Sequence, residues 1–245
     1  NLNLSYTANY RSGDWSWDNR LLVDYGISKT KDQEFTRKTS DRFEINSILG
    51  KQISESNWYY SYFLNFKTQM TSGYVYGEDT NGDEIRTETT KAFSPAYLQT
   101  GPGMLWKKND NLFVNVSPAT AKLIFVNGDF TNVGNDQATI DAFNEAGGYF
   151  GVEANESMRF EFGASINAYA KFKLMDNISF ENILNLYSNY LDNPQNVDVD
   201  YTANLVMSIN KWITANVAFQ AIYDDNAVQA FQIREALGIG VTYGF

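Results

Sequence analysis

Cysteine and histidine are both missing from this sequence of 245 residues. The first absence excludes disulfides, iron–sulfur clusters, thiol nucleophiles and cysteine-ligated structural zinc. The second removes Ser–His–Asp hydrolysis, imidazole general-base chemistry and most zinc and iron sites. Proline is scarce, at four residues, so rigid breaks are few. No run approaches the ~18 consecutive apolar residues of a membrane-crossing helix, which excludes a helical membrane protein. Basic charge is in deficit: 19 Lys and Arg stand against 29 Asp and Glu, a net charge of -10. That balance argues against nucleic acid, whose binding is driven by neutralising phosphates. No signal peptide is visible, and strand-like alternation begins at Asn1, as in a mature or trimmed form.

Aromatic surface, in contrast, is plentiful: 16 Tyr, 17 Phe and 5 Trp are too much for a disordered chain. The mean hydropathy of -0.39 is that of a soluble protein. The pattern within the chain says otherwise. From Trp15 the odd positions run Trp15, Trp17, Asn19, Leu21, Val23, Tyr25 and Ile27 against Ser16, Asp18, Arg20, Leu22 and Asp24. This is period 2, with one apolar and one polar face. It returns at Trp58, Tyr60, Tyr62, Leu64 and Phe66, and again at Met158, Phe160, Phe162, Ala164 and Ile166. Many of these runs exceed the five or six residues (roughly) of a soluble strand. They match the length of about nine to eleven residues that spans a membrane as part of a barrel.

Eleven strands are expected, at about 2–10, 15–28, 41–53, 58–71, 95–106, 111–125, 158–174, 178–190, 198–209, 213–223 and 231–245. The connections alternate between short ones (11–14, 54–57, 107–111, 175–177, 210–212) and longer ones (29–41, 71–94, 127–157, 191–197, 224–230). Outer-membrane barrels alternate short periplasmic turns with longer external loops in this way. All five tryptophans, Trp15, Trp17, Trp58, Trp106 and Trp212, fall in or near the short class, as a girdle at one membrane interface would. The expectation is an all-β fold: a transmembrane up-and-down antiparallel β-barrel, a single domain over residues 1–245. Even strand numbers with both termini periplasmic are the bacterial rule, so a twelfth strand is expected upstream of Asn1. Ile239, Val241, Tyr243 and Phe245 alternate to a terminal aromatic, which resembles the outer-membrane assembly signal and adds Phe245 to the girdle.

Four segments, together with the terminal strand, resemble a barrel family of outer membranes in Bacteroidota-type bacteria, catalogued as a domain of unknown function. They are Trp15-Ser-Trp-Asp-Asn19, Ser56-Asn-Trp-Tyr-Tyr60, Tyr187-Ser-Asn-Tyr-Leu-Asp-Asn-Pro-Gln-Asn196 and Ile222-Tyr-Asp-Asp225. The resemblance extends over essentially the whole chain and implies an outer-membrane location and a barrel. It implies a further strand upstream of Asn1 and carries no established activity.

Several groups are candidates for chemistry. Asp79, Asn81 and Asp83 place oxygen ligands at alternate positions around a Gly turn, as a hard cation requires. An EF-hand would need Gly at its sixth place and Glu at its twelfth, where Glu84 and Thr90 stand, so a simple hairpin turn is the better reading. The stretch 127–157 holds Asp129, Asp136, Asp141, Glu145, Glu153 and Glu156 with no Lys or Arg, and 137–145 has helical spacing. Such an external loop could bridge anionic lipopolysaccharide through divalent cations, although a solvated surface is the plainer account. The polar faces carry Arg20, Asp24, Arg42, Glu44, Lys67, Arg159, Glu161, Lys171, Lys173 and Glu181. Paired carboxylates can do acid–base work, but opposite charges on neighbouring strands also fill a narrow barrel, and that reading is preferred. Tyr190, Tyr201 and Tyr223 suit an upper aromatic girdle, and Gly238, Gly240 and Gly244 suit close packing or bending of the last strand.

No catalytic set emerges. The expected protein is a non-enzymatic barrel of a Gram-negative outer membrane, termini periplasmic, in contact with lipid, lipopolysaccharide and other envelope proteins. Its expected role is a structural or accessory subunit of secretion, barrel-insertion or nutrient-uptake machinery, without a cofactor. A small pore or substrate channel is the first alternative, and an outer-membrane enzyme the second.

Overall fold

The computed structural model describes residues 2–31, 33–224 and 228–241. Eleven long strands form one antiparallel sheet. They are β1 (Leu2–Ser12), β2 (Trp15–Ser28), β3 (Arg37–Gln52), β4 (Trp58–Thr68), β7 (Ala96–Asn109), β8 (Leu112–Phe125), β9 (Met158–Met175), β10 (Ile178–Asn189), β11 (Asp198–Ser208), β12 (Ile213–Asp224) and β13 (Val228–Val241). Each pairs with its neighbour in the chain, except that β4 meets β7 across a separate hairpin, β5 (Gly73–Glu78) with β6 (Glu84–Thr90). The fold is therefore all-β and up-and-down, as the periodicity implies. Among the described residues the sheet ends at β1 on one side and β13 on the other.

Several expectations need correction. The stretch 71–94, expected only as a long connection with a hairpin turn at 79–84, carries two paired strands, β5 and β6, on either side of that turn. The last long connection, expected over 224–230, is short: β12 ends at Asp224, β13 begins at Val228, and those two residues pair. Residues 147–152 lie in the long connection before β9. They make a tight turn closed by one Tyr149–Val152 bridge, with Phe150 and Gly151 at positive φ. Tyr243, Gly244 and Phe245 lie outside the described residues.

By contact the chain divides into two compact units. The first holds Asn1–Leu49, Phe63–Thr100 and Ala121–Glu161. In it β1 and β2 pair without a shift from Leu2–Tyr25 to Ser12–Trp15. The helix α1 (Gln137–Glu145) occupies the residues with helical spacing, and Asp136 caps it by accepting from the Thr139 N–H. A small apolar core of Ile124, Val126 and Val152 packs with Tyr97, Tyr149 and Phe150. The second unit holds Gly50–Tyr62, Gly101–Thr120 and Phe162–Phe245. Its strands β9 to β13 pair in sequence, with register shifts at Ile178/Ser179 and Ile222/Asp224.

Burial runs opposite to that of a water-soluble sheet. In β2, β4 and β9 the apolar row is exposed, with Trp15, Trp17, Trp58, Tyr60, Tyr62, Leu64, Met158, Phe160 and Phe162 open, whereas Ser16, Ser61, Glu161 and Ser165 are buried. Among the described residues fifteen polar or charged side chains are buried against eight apolar ones, so the core of this protein is polar. Two stacked sheets in water would show the reverse, because their apolar rows would meet in a dry middle. No helix among the described residues is long and apolar enough to cross a membrane, and that says nothing about strands.

Candidate functional site

The buried polar row is the chemically richest part of the molecule. On β3, residues two apart in a strand share a face, so Arg42, Glu44 and Asn46 stand in one line. Arg42 donates to Glu44 from Nε at 2.7 Å, Asn46 donates at 2.7 Å, and Asn65 of β4 donates at 3.1 Å. On β9 the same spacing sets Arg159 beside Glu161 at 2.9 Å. Lys122 of β8 reaches the same carboxylate at 3.2 Å, and the Glu161 side chain is only 1% exposed. The enclosed carboxylate thus has two cationic neighbours to offset its loss of hydration. Arg42–Glu44 and Arg159–Glu161 lie along one strand, and Lys122–Glu161 crosses between strands. Arg20 and Asp24 share the polar row of β2, and Asp24 accepts from the Ser40 hydroxyl at 3.1 Å.

In the second unit buried polar groups bond mostly to uncharged partners. Ser61 donates to Asn115 at 2.5 Å, Asn115 donates to Ser117 at 3.1 Å, and the Thr120 and Ser165 hydroxyls lie 2.9 Å apart. Glu181 accepts from the Tyr169 hydroxyl at 2.7 Å and from Asn204 at 3.1 Å. Lys173 is exposed and bridges to Asp176 at 3.0 Å, away from the polar core. The network interlocks strands.

Sequence reasoning missed Asn115, Ser117, Thr120 and Lys122 of β8 as interior groups. The cause lies in β8, whose buried set passes from odd positions (Asn115, Ser117) to even ones (Thr120, Lys122, Ile124). Pro118 sits at that change, and Thr120 donates to the Ser117 carbonyl at 3.0 Å. A proline inside a strand marks a bulge, so Pro118 is the signal that could have found them.

Of the expected girdle, Trp15, Trp17, Trp58 and Trp212 are exposed and Trp106 is half-buried. The Trp17 indole donates to Ser47 at 2.8 Å, and Ser47 donates to Asn19 at 2.8 Å. Of the expected assembly signal, Ile239 is outward and exposed, and Val241 ends β13. The two glycines described on that strand do not pack closely: a Cβ at Gly238 or Gly240 would meet its nearest neighbour at 3.5 Å, an ordinary contact.

The longer connections of the first unit fold into a cap. Glu84 of β6 accepts from the backbone N–H of Glu34 at 2.7 Å and of Phe35 at 3.1 Å, and it pairs with Arg37. Partial burial raises the Glu84 pKa, but the two N–H donors and Arg37 outweigh it and hold the carboxyl below its ordinary range. Arg37 lies over the Tyr76 ring, and Arg86 stands 4.4 Å from the Tyr74 ring and 4.7 Å from that of Phe35. Lys91 bridges to Asp129 at 2.5 Å. Phe130 stacks on Tyr149 at 4.9 Å, and the Tyr149 hydroxyl donates to the Thr89 carbonyl at 2.5 Å. Burial, helped by Glu88 and opposed by Ser94, pushes the Tyr149 hydroxyl up to about 12.

The suggested cation ligands serve another purpose. The Asp79 carboxylate accepts from the N–H of Asn81 at 2.8 Å and of Asp83 at 2.9 Å, which closes the hairpin tip. Those bonds, Asp83's first, hold its pKa below the ordinary value. Among the described residues no cluster of three or more His, Cys, Asp or Glu is gathered as a metal site would need.

No curated protein matches this chain. Among solved structures it is similar to the crystal structure of the β domain of the Bordetella autotransporter BrkA, at 9% identity and a TM-score of 0.35, covering 99% of this chain and 89% of that one. The model of a family described as a protein of unknown function (DUF3078) matches residues 1–74, from β1 into the start of β5.

Proposed function

We propose that this chain is an outer-membrane β-barrel protein whose exposed apolar row is wetted by lipid, and that it serves as a non-enzymatic accessory subunit of a larger envelope assembly. The observation that carries the membrane reading is the inverted burial. Tyr60, Tyr62, Leu64, Phe160 and Phe162 stand open on one face while Glu161, Asn115 and Ser165 are enclosed on the other. In water each large apolar side chain left open forfeits about 1.5–3 kcal/mol, and in hydrocarbon that loss vanishes. The buried ion pairs and amides then line the side away from lipid, where every polar group must find a partner inside the protein. The cap of β5, β6 and α1 belongs to the long-loop ends, which this reading sets outside the cell, with the short turns and their tryptophans at the periplasmic interface.

An accessory role fits better than catalysis or conduction. With neither histidine nor cysteine, the chain lacks the usual acid–base and nucleophilic groups. The Arg159–Glu161–Lys122 and Arg42–Glu44 groups are enclosed by neighbouring side chains, as in a filled interior. The test of the medium is quenching of tryptophan fluorescence in vesicles of brominated lipids. Bromines placed near the headgroups should quench strongly, and bromines deep in the acyl chains should quench less. Emission unaffected by either lipid removes the membrane reading. In planar bilayers the protein should pass no appreciable current, and a steady conductance would favour a channel. Purification in mild detergent should yield a stoichiometric larger partner, and a clean monomer would count against the accessory role.

A further inference from the structure

The hairpin of β5 and β6 has two unlike faces. Its register pairs Tyr74 with Glu88, Tyr76 with Arg86 and Glu78 with Glu84, so aromatic and charged side chains share one face. That face is occupied within the chain: Glu84 pairs with Arg37, Arg86 stands over the Phe35 ring, and the Tyr76 hydroxyl donates to the Thr36 carbonyl at 3.1 Å. The other face pairs Val75 with Thr87 and Gly77 with Ile85, and none of these four carries a charge. Its two large side chains are open, Val75 61% and Ile85 47% exposed. In the chain the hairpin lies between β4 and β7, both interior strands of the large sheet.

The open apolar side chains of β2, β4 and β9 sit on strands long enough to span, and on the reading above they meet lipid. Val75 and Ile85 do not. Their strands have 6 and 7 residues, too few to cross, and belong to the long connections. A two-stranded hairpin is marginal by itself in water, and an apolar patch left open there marks a contact surface. Its surroundings select the partner. Residues 71–94 and 127–157 hold eleven carboxylates against Arg86 and Lys91, a surplus of nine in a chain whose net charge is -10. Asp79 and Asp83 stand at the hairpin tip, and Lys91, just past β6, bridges to Asp129 at 2.5 Å. An uncharged centre with a charged rim is the anatomy of a protein interface.

On the reading that the long connections stand outside the lipid, we propose that the open face of β5 and β6 docks a basic polypeptide of the envelope assembly. The partner seats an apolar side chain across Val75 and Ile85 and sets lysines or arginines against the acidic tip. Complementary charge steers such an encounter, and like charge opposes it. A second copy of this chain would bring the same surplus of carboxylates, and lipopolysaccharide would bring phosphate. Charge therefore selects a cationic partner over both. Such a contact gives the accessory role a place and a chemistry.

The test places a photo-crosslinking amino acid at Val75 and, separately, at Leu64 of β4. Both full-length variants are illuminated in the native membrane. Leu64 should label lipid, which checks the membrane reading by itself. Val75 should give a discrete protein adduct whose crosslinked peptide sets an apolar residue among lysines or arginines. Asp83→Lys should cut that adduct roughly tenfold and Asp83→Asn by less, and reversing the partner's basic residue to glutamate should restore the Asp83→Lys adduct. Ile85→Asp, which puts a charge on the face itself, should abolish it. Unchanged protease resistance of residues 29–36 in each variant confirms that Glu84 still holds the hairpin in place.

Lipid labelling at Leu64 with no protein adduct at Val75 overturns the docking proposal and leaves the membrane reading standing. An adduct of twice the chain's mass, one within the chain, one to lipopolysaccharide, or one undiminished by Asp83→Lys also overturns it. Absence of lipid labelling at Leu64 removes the membrane reading, and the docking site falls with it.

Discussion

The β8–β9 region and β13 carry the same period-2 alternation and end in opposite states. Along β8 and β9 the polar row is enclosed: Asn115, Ser117 and Thr120 are wholly buried, and Lys122, Glu161 and Ser165 nearly so. Along β13 both rows are open, with Leu237 78% and Ile239 77% exposed and Gln232, Arg234 and Ala236 exposed beside them. Backbone approach differs in the same sense. A Cβ at Gly163 of β9 would clash with the Ser188 carbonyl oxygen, and one at Gly238 of β13 would sit 3.5 Å from Asn216 Nδ2. Alternation therefore decides which way a side chain faces, and neighbours on both sides decide whether it is buried.

The sharpest way to break that contrast is to remove the buried carboxylate. Glu161→Ala leaves Lys122 and Arg159 without their shared counter-charge, and loss of one partner from a buried pair costs about 3–5 kcal/mol. The urea midpoint of the protein in detergent, followed by heat-modifiable mobility, should fall by that equivalent. Arg234→Ala on exposed β13 should move it by less than about 1 kcal/mol. Equal losses at the two sites would show that the inner row is no more enclosed than the edge.

Gly163→Ala comes next. Its Cβ meets backbone on the paired strand β10, so a strand must move, and overpacking of this kind costs about 1–3 kcal/mol. The same urea series should place this variant between wild type and Glu161→Ala. An unchanged midpoint would mean that β9 and β10 pair more loosely than the Gly163–Asn189 register requires.

Much of this architecture is legible in the amino-acid sequence. β2 spans Trp15–Ser28 and α1 spans Gln137–Glu145, both at the limits their patterns indicate, because each is set by local periodicity. Legibility stops where a contact joins residues far apart or a strand changes phase. Glu84 bonds the backbone 49 and 50 residues away, and no local pattern carries that information. The turn of the β5–β6 hairpin is legible in its Asn-Gly-Asp tip, but its two short strands are hidden by charged residues that break the alternation. Lys122 is hidden by the bulge at Pro118, since one slipped residue reverses the face of all that follow.

The cap of the first unit adds a smaller, pH-dependent effect. Glu84 is held below its ordinary pKa, so its bonds to the Glu34 and Phe35 N–H and to Arg37 contribute fully above the unfolded carboxyl value of about 4.3. That contribution fades as pH falls through the lower folded value. Limited proteolysis of residues 29–36 should therefore be constant from neutral pH down to about 5 and rise only in stronger acid. Glu84→Gln should show the acid-like cleavage already at neutral pH. Equal cleavage of wild type and variant throughout would detach the hairpin from this latch.

The smallest expected effect is at Gly238→Ala, and its sign is informative. A Cβ there makes only ordinary contact, and alanine loses less chain entropy than glycine on folding, so the variant should gain about 0.5 kcal/mol in the urea series. The gain holds only while β13 keeps the open surroundings described for it. Were a strand of another protein seated against that edge in the native membrane, Gly238 would face closer neighbours there than in the isolated chain. Comparing the variant in detergent with the variant in native membrane thus separates an intrinsic edge from a covered one. A gain in detergent that turns into a loss in the membrane would show that the polar row of β13 is covered there. A loss in both would mean that β13 is packed like β9, and the contrast between the two regions would disappear.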